Sequence, residues 1–195
     1  MVLLFSFRSS VADWYYVPTG SMEPTIQVGD RVVVDKSAYT LELPFTDVVV
    51  AKTGNINRGD IVIIDSNAAD TRLIKRVVAI EGDKVKLENN VLFINGEKAT
   101  LSVKGHNLYS EQILGQTRTI ALNPLPSPAK NFNLITVPRD HVLAMGDNRN
   151  NSVDSRYYGF IPIEEIQGKA NSVAFSLDPD DMYLPRKDRL FTSLQ

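Results

Sequence analysis

Three features of the sequence predict a mainly β fold. Short β-branched runs recur along the chain, each bounded by Gly, Asp or Asn. The stretch KVKLENNVLFINGEK, residues 84–98, combines strand alternation with the turn chemistry of a hairpin. No window longer than about a dozen residues keeps the 3.6-residue helical period.

Taken in order, strands are expected at residues 32–34, 48–51, 61–64 and 74–80. In the hairpin, Val85 and Leu87 alternate, Asn89 and Asn90 turn the chain, and residues 91–94 return to a second turn at Asn95 and Gly96. Residues 99–133 differ in character. They hold Gly, Ser, Asn and the Pro-rich piece NPLPSPAK with few sustained apolar runs, the pattern of a loop-rich insertion. Strand-like segments resume with NFNLITVP and HVLAMGDNR, and a helical turn fits only around residues 163–166. The tail, residues 178–195, mixes charge with Met182, Tyr183, Leu184, Leu190 and Phe191. The sequence contains no internal repeat.

Composition narrows the chemistry. A length of 195 residues suffices for one domain, or for a domain carrying an inserted lobe. Apolar content of 43% and charged content of 23% are those of a folded chain. A net charge of −2 provides no basic stripe, so nucleic acid is excluded as the main partner. With no Cys there is no disulfide, no Cys-ligated zinc and no Cys nucleophile, and the redox compartment stays open. His106 and His141 are far apart and form no paired ligand motif, which argues against a His-rich metal site. Acid–base work then falls to Lys or carboxylates.

The chain opens with MVLLFSF. Seven helical residues reach about 10 Å against about 30 Å of hydrocarbon, so this run is too short to span a bilayer. It also lacks a polar n-region and a small-residue cleavage site. Two readings remain: a buried terminal strand, or the stub of a membrane anchor with Trp14, Tyr15 and Tyr16 at headgroup level.

Three clusters carry reactive groups. In VPTGSMEPTIQVGD, residues 17–30, Pro18 and Gly20 bracket Thr19 just before Ser21. Such a turn can expose a hydroxyl and free a backbone N–H for an oxyanion, and it is equally the composition of an ordinary surface turn. In RLIKRVVAI, residues 72–80, strand alternation puts Leu73, Lys75, Val77 and Ala79 on one face and Ile74, Arg76, Val78 and Ile80 on the other. Among apolar neighbours the Lys75 amine loses solvation and becomes a base near neutrality; on an exposed edge it is only a surface charge. The third cluster, MGDNRNNSVDSRYYGFIP at residues 145–162, is a polar loop rigidified by Asx turns and by Asp154 with Arg156. It lacks EF-hand spacing and a closing Glu.

Their order and combination decide. PTGSMEPT, RGDIVII at residues 58–64, IKRVVAIEGD at residues 74–83 and GDNRNNSVDSRYYGFIP at residues 146–162 resemble the boxes of type I signal peptidases, the bacterial leader peptidases. The likeness continues through GKA at residues 168–170 and FSLD at residues 175–178. It implies a mainly β fold of coiled antiparallel sheets: an N-terminal stub at 1–12, a catalytic part at 13–83 and 134–178, a smaller inserted lobe at 84–133, and a tail at 179–195.

The resemblance also implies roles. Ser21 matches the nucleophile, Lys75 the general base, and Ser152 the serine that orients that base. The Ser21 N–H and the Thr19 hydroxyl match the oxyanion hole. Asp154 with Arg156, and Asp147 with Arg76, match structural ion pairs. Val17, Met22, Ile26, Leu73 and Ile74 fall where the family builds shallow apolar pockets for small side chains one and three residues before the cut. The implied partners are preprotein signal peptides with Ala-x-Ala-like ends and the lipid surface. The implied location is the bacterial cytoplasmic membrane, with the catalytic part on the extracytoplasmic side. No metal or organic cofactor is implied. Family members usually carry one or two membrane spans before the nucleophile box, where this sequence shows only the apolar stub, and the insert is short. The rival readings are a conjugative-transfer protease maturing pilin, which generally lacks the full GDNR run, a silent signal-peptide-binding paralogue, and a Ser-His-Asp hydrolase using His141.

Overall fold

The protein is described by a computed structural model over residues 12–42, 49–124 and 127–194. The apolar run at residues 1–7, Val48 and part of the Pro-rich piece lie outside the described residues. The first strands are β1 (Ala12–Tyr16), β2 (Asp30–Asp35), β3 (Thr40–Glu42), β4 (Val49–Lys52), β5 (Ile61–Ser66) and β6 (Thr71–Ile80). Next come β7 (Lys84–Glu88), β8 (Val91–Ile94), β9 (Glu97–Lys98), β10 (Thr100–Gly105), β11 (Leu108–Ile113) and β12 (Gln116–Ala121). The chain closes with β13 (Phe132–Thr136), β14 (His141–Met145), the single helical turn α1 (Ser155–Tyr158), β15 (Ile161–Pro162), β16 (Ile166–Asp178), β17 (Leu184–Pro185) and β18 (Thr192–Ser193). The fold is mainly β, as the sequence predicts.

The main sheet has the order β1-β2-β16-β5-β6-β14-β15, with β17 and β18 also pairing β16. Its ladders are antiparallel. β5 reads as an unbroken apolar run because both its faces are covered. Ile61 and Ile63 join Val17, Met22 and Ile26 in one core cluster, and Val62 and Ile64 join Tyr39, Val77 and Val142 in another.

Strict alternation along β6 does not hold. Against β14 the register steps from Ala79 to Val77 while its partner moves one residue, from Leu143 to Ala144. Val78 is therefore a bulge, which turns the strand beyond it. Ile80 then packs against the cluster that holds Val77 and Val142, while Val78 and Ala79 share a third cluster with Val85, Leu87, Leu92 and Ile94.

The hairpin at residues 84–98 forms with the expected turns. Glu88 pairs with Val91 across Asn89 and Asn90, both in the left-handed region, and Ile94 pairs with Glu97 across Asn95 and Gly96. Residues 100–121 are not the loop-rich segment expected. β10, β11 and β12 make a regular three-stranded sheet, separate from the four-stranded order β13-β7-β8-β9. Most of β10 faces solvent, so little apolar alternation was needed to form it.

The end of the described chain is built into the main sheet. Ser193 pairs with Ser172, and Leu194 is buried beside Met22 and Ile26. Arg189 donates from Nε to Asp30 at 3.0 Å and from Nη2 to the Thr25 carbonyl at 3.0 Å. Asp30 is wholly buried, so removing its partner strands a charge in a low-dielectric interior. Arg189→Ala is expected to lower the unfolding free energy by about 3 kcal/mol, read as a lower urea midpoint with an unchanged slope.

Candidate active site

Ser21 sits in a 3-10 turn, Gly20–Met22, entered through extended Thr19. The turn is anchored from below by Met22 and Ile26, both without exposed surface, and by the bond from Ile26 N to Met22 O at 3.0 Å. Val17 closes the loop, donating to Asp30 O and accepting from Gly29 N, each at 3.0 Å. From above, Asn148 donates its backbone N–H to Ser21 O at 3.1 Å and its side-chain amide to Gly20 O at 3.0 Å. Both carbonyls flanking the nucleophile candidate are thus held by one residue.

Lys75 lies on β6 opposite Val62, one position beyond the last β14 pair, Met145 with Arg76. Its Nζ is 2.8 Å from Ser21 Oγ and donates to the Ile74 carbonyl at 2.9 Å. Only 4% of the residue is exposed. Burial pushes the amine down from 10.5 to about 8; Asp154 and Asp147 pull the other way and Arg156 adds to the fall.

Gly146 brings the parts together. A Cβ there would strike both Ser152 Oγ and the Ser21 carbonyl, so only glycine lets these two segments meet. Ser152 makes no direct hydrogen bond to Lys75. Its hydroxyl donates to Asp154 Oδ2 at 2.8 Å. Asp154 also accepts from Gly146 N at 2.9 Å and from Arg156 Nε and Nη2 at 2.8 and 2.7 Å. Burial would raise the Asp154 pKa, yet the bonds and charge of Arg156, with the Gly146 amide and Ser152 hydroxyl, hold it below its ordinary value.

Arg76 and Asp147 form a buried two-pronged pair at 2.9 and 2.7 Å. Thr25 donates to the same carboxylate at 2.6 Å, and Arg76 reaches the Gly59 carbonyl at 2.8 Å. The loop bearing Ser21, β6 and the segment after β14 therefore share one ionic clamp. A second clamp escaped sequence reasoning. Glu111, wholly buried, accepts from Arg149 at 2.7 and 2.6 Å and from Arg118 at 2.6 Å. Burial would raise its pKa, but the two arginines hold it well below the carboxylate range. Glu111 and Arg118 are directly opposite across a two-residue turn, a cross-strand charge pair readable in LYSEQILGQTRTIA. Asn148 was also unassigned.

The apolar residues divide. Val17, Met22 and Ile26 are buried, while Leu73 and Ile74 on β6 keep accessible surface. Thr19 is exposed and its hydroxyl does not cap the turn. His141 stands apart from Ser21: its Nδ1 donates to the Arg139 carbonyl at 2.7 Å. Among the described residues no cluster of three or more His, Cys, Asp or Glu is placed to hold a metal.

The family model for signal peptidase, peptidase S26, matches residues 1–175. Signal peptidase I of Pseudomonas aeruginosa is 33% identical over 215 residues, spanning 97% of this chain and 74% of its own. Signal peptidase IB of Staphylococcus aureus is 33% identical over 170 residues, spanning 87% of this chain and 81% of its own. Among solved structures, a signal peptidase I from Enterococcus faecalis aligns over 59% of this chain and 96% of that one, at 25% identity and a TM-score of 0.40.

An amine that titrates near 8, in contact with a hydroxyl, is equipped to take that hydroxyl's proton. Only the neutral amine can accept a proton, and its fraction rises with pH through the lowered pKa. At pH 7 about one-tenth of the amine is neutral. Acylation of Ser21 by a small activated ester should climb through about pH 8 and level off above it. A rate constant across about pH 6 to 9 shows that another group takes the proton.

Proposed function

The chain belongs to the signal peptidase family, peptidase S26, and from that membership we propose a serine endopeptidase that removes signal peptides from exported preproteins with Ser21 as nucleophile and Lys75 as base. The observation that carries the assignment is the 2.8 Å contact between a desolvated amine and the Ser21 hydroxyl. One Lys75 N–H is held by the Ile74 carbonyl, which anchors the amine beside the Ser21 hydroxyl. Neutral Lys75 takes the Oγ proton as Oγ attacks the scissile carbonyl. The Ser21 N–H and the Thr19 hydroxyl stabilise the oxyanion. Collapse breaks the C–N bond, the leaving amine takes the proton from Lys75, and Lys75 then activates water to hydrolyse the acyl-enzyme. Asp154 and Asp147 stabilise the ammonium while it exists. Ser152 acts on the base through Asp154 and through its packing against Gly146.

The substrate strand has a place to lie. β14 covers β6 only from Arg76 onward, leaving one edge of the preceding residues without a strand partner among the described residues. A signal-peptide segment adds to that edge by main-chain hydrogen bonds, as extended peptides add to other open sheets. Leu73 and Ile74 offer it apolar surface, and Val17, Met22 and Ile26 form the floor beneath. Residues 13–83 and 134–178 carry this chemistry, residues 84–133 brace it through Glu111, and the segment after 178 completes the sheet.

The lipid surface is the second partner. Tyr16, Arg31 and Phe175 are register neighbours across β1, β2 and β16, with the Arg31 guanidinium 4.3 Å from the Tyr16 ring centroid. Trp14, Tyr16 and Phe175 are exposed, as are Met182, Tyr183, Leu190 and Phe191 nearby in the final segment. Aromatic groups beside cations suit a headgroup boundary. Among the described residues no helix is long and apolar enough to cross a membrane. The working site faces the extracytoplasmic side of a bacterial cytoplasmic membrane.

With a purified preprotein in detergent, the protein should release a product whose new N-terminus follows an Ala-x-Ala-like sequence. Ser21→Ala and Lys75→Ala should abolish cleavage, Thr19→Val should slow it about a hundredfold, and His141→Ala should spare it. Cleavage by Ser21→Ala refutes the assignment. In a separate sedimentation assay the protein should pellet with anionic vesicles, and Trp14→Ser with Phe191→Ser should leave it in the supernatant. Failure to pellet with any lipid mixture rejects the membrane partner.

A further inference from the structure

Next to the nucleophile turn lies a groove of about 590 Å³ that the chemistry above does not use. Its walls come from three distant parts of the chain: Glu23 and Gln27 from the nucleophile loop, His106 and Asn123 from the ends of the three-stranded sheet, and Asp180 from the final segment. Its floor includes Asn148, whose two bonds hold the Ser21 and Gly20 carbonyls and whose Oδ1 accepts from Asn123 at 2.9 Å. The groove is thus continuous with the catalytic turn through a shared residue.

A chain lying on the open edge of β6 runs in line with β14. At the level of Lys75 it meets the segment by which β14 leaves the sheet, residues 146–148. It cannot continue along β6, so the residues beyond the scissile bond must turn away beside Asn148. We infer that the groove is the binding site for the first few mature-protein residues of the substrate, and that Glu23 and Asp180 make it discriminate by charge. The inference rests on the peptidase reading above.

The lining suits a polypeptide. Amide groups of Gln27, Asn107 and Asn123 offer donors and acceptors for an extended main chain. The cation of the groove, Arg186, is already engaged by Asp178 at 2.9 Å and by the Val28 carbonyl at 2.8 Å. Glu23 and Asp180 make no ion pair among the described residues, and the Glu23 carboxyl stands over Gly20, where an added Cβ would lie 2.9 Å from it. The uncompensated charge is therefore negative. Basic mature residues are favoured and acidic ones are repelled.

The test uses two peptides with the same signal-peptide side, one ending just after the scissile bond and one carrying a longer mature extension. Binding energy from the extension should raise kcat/KM for the longer peptide on the order of tenfold. His106→Trp, which fills the groove from an exposed turn, should bring this ratio close to one while sparing the short peptide. Asp180→Lys should reverse the preference for Lys over Glu in the extension. An unchanged length ratio in His106→Trp together with an unchanged charge preference in Asp180→Lys overturns the inference. Cleavage of neither peptide by the unmodified protein overturns the peptidase reading itself, and this inference with it.

Discussion

The site depends on denying water to a single amine. In bulk solvent a lysine beside a serine is a cation and a poor base. Here Lys75 is enclosed between β6, the turn bearing Ser21 and the segment after β14, and burial outweighs the two carboxylates that would keep it charged. Asp154 and Asp147 are close enough to steady an ammonium once the proton arrives, yet each is already engaged by its own arginine. With those charges compensated, burial decides the direction in which the amine shifts.

Buried ion pairs contribute little net stability compared with apolar packing, and their value here is positional. Arg76 with Asp147 joins the loop bearing Ser21 to the strand bearing Lys75. Arg156 with Asp154 fixes Ser152 and the amide of Gly146. Glu111, gripped by Arg118 and Arg149, ties the three-stranded sheet to the same segment. Arg76 with Asp147 and Arg149 with Glu111 join stretches distant in sequence, so charge geometry in a low-dielectric setting helps fix how the segments bearing Ser21 and Lys75 meet.

Much of this was legible in the sequence, and the exceptions have physical causes. The hairpin at residues 84–98 could be read because its Asn and Gly turns demand left-handed backbone and its apolar residues face one cluster. β5 could be read from its unbroken apolar run. The three-stranded sheet could not, since β10 is largely solvated and the buried positions of β11 and β12 include the charged Glu111 and Arg118. Strict period-two counting failed on β6 because a bulge at Val78 interrupts the alternation against β14. Ser21 and Lys75 were visible only through the order of the boxes around them, because a hydroxyl turn and a strand lysine are each commonplace. Asn148 was hidden inside a motif that reads as an ordinary polar loop. Its role exists only when residues 20 and 21 arrive from elsewhere.

The final segment ties together parts of the chain that lie far apart in sequence. Between β2 and β16, neighbours in the sheet, the chain threads more than half its length, and closing so long a loop makes the ladder a late event in folding. Arg189 then seats against Asp30 and Thr25, in the very loop that carries Ser21. Asp30, wholly buried, thus takes its counter-charge from 159 positions further along the chain, and the order of the loop bearing Ser21 is coupled to the closing of the ladder between β2 and β16.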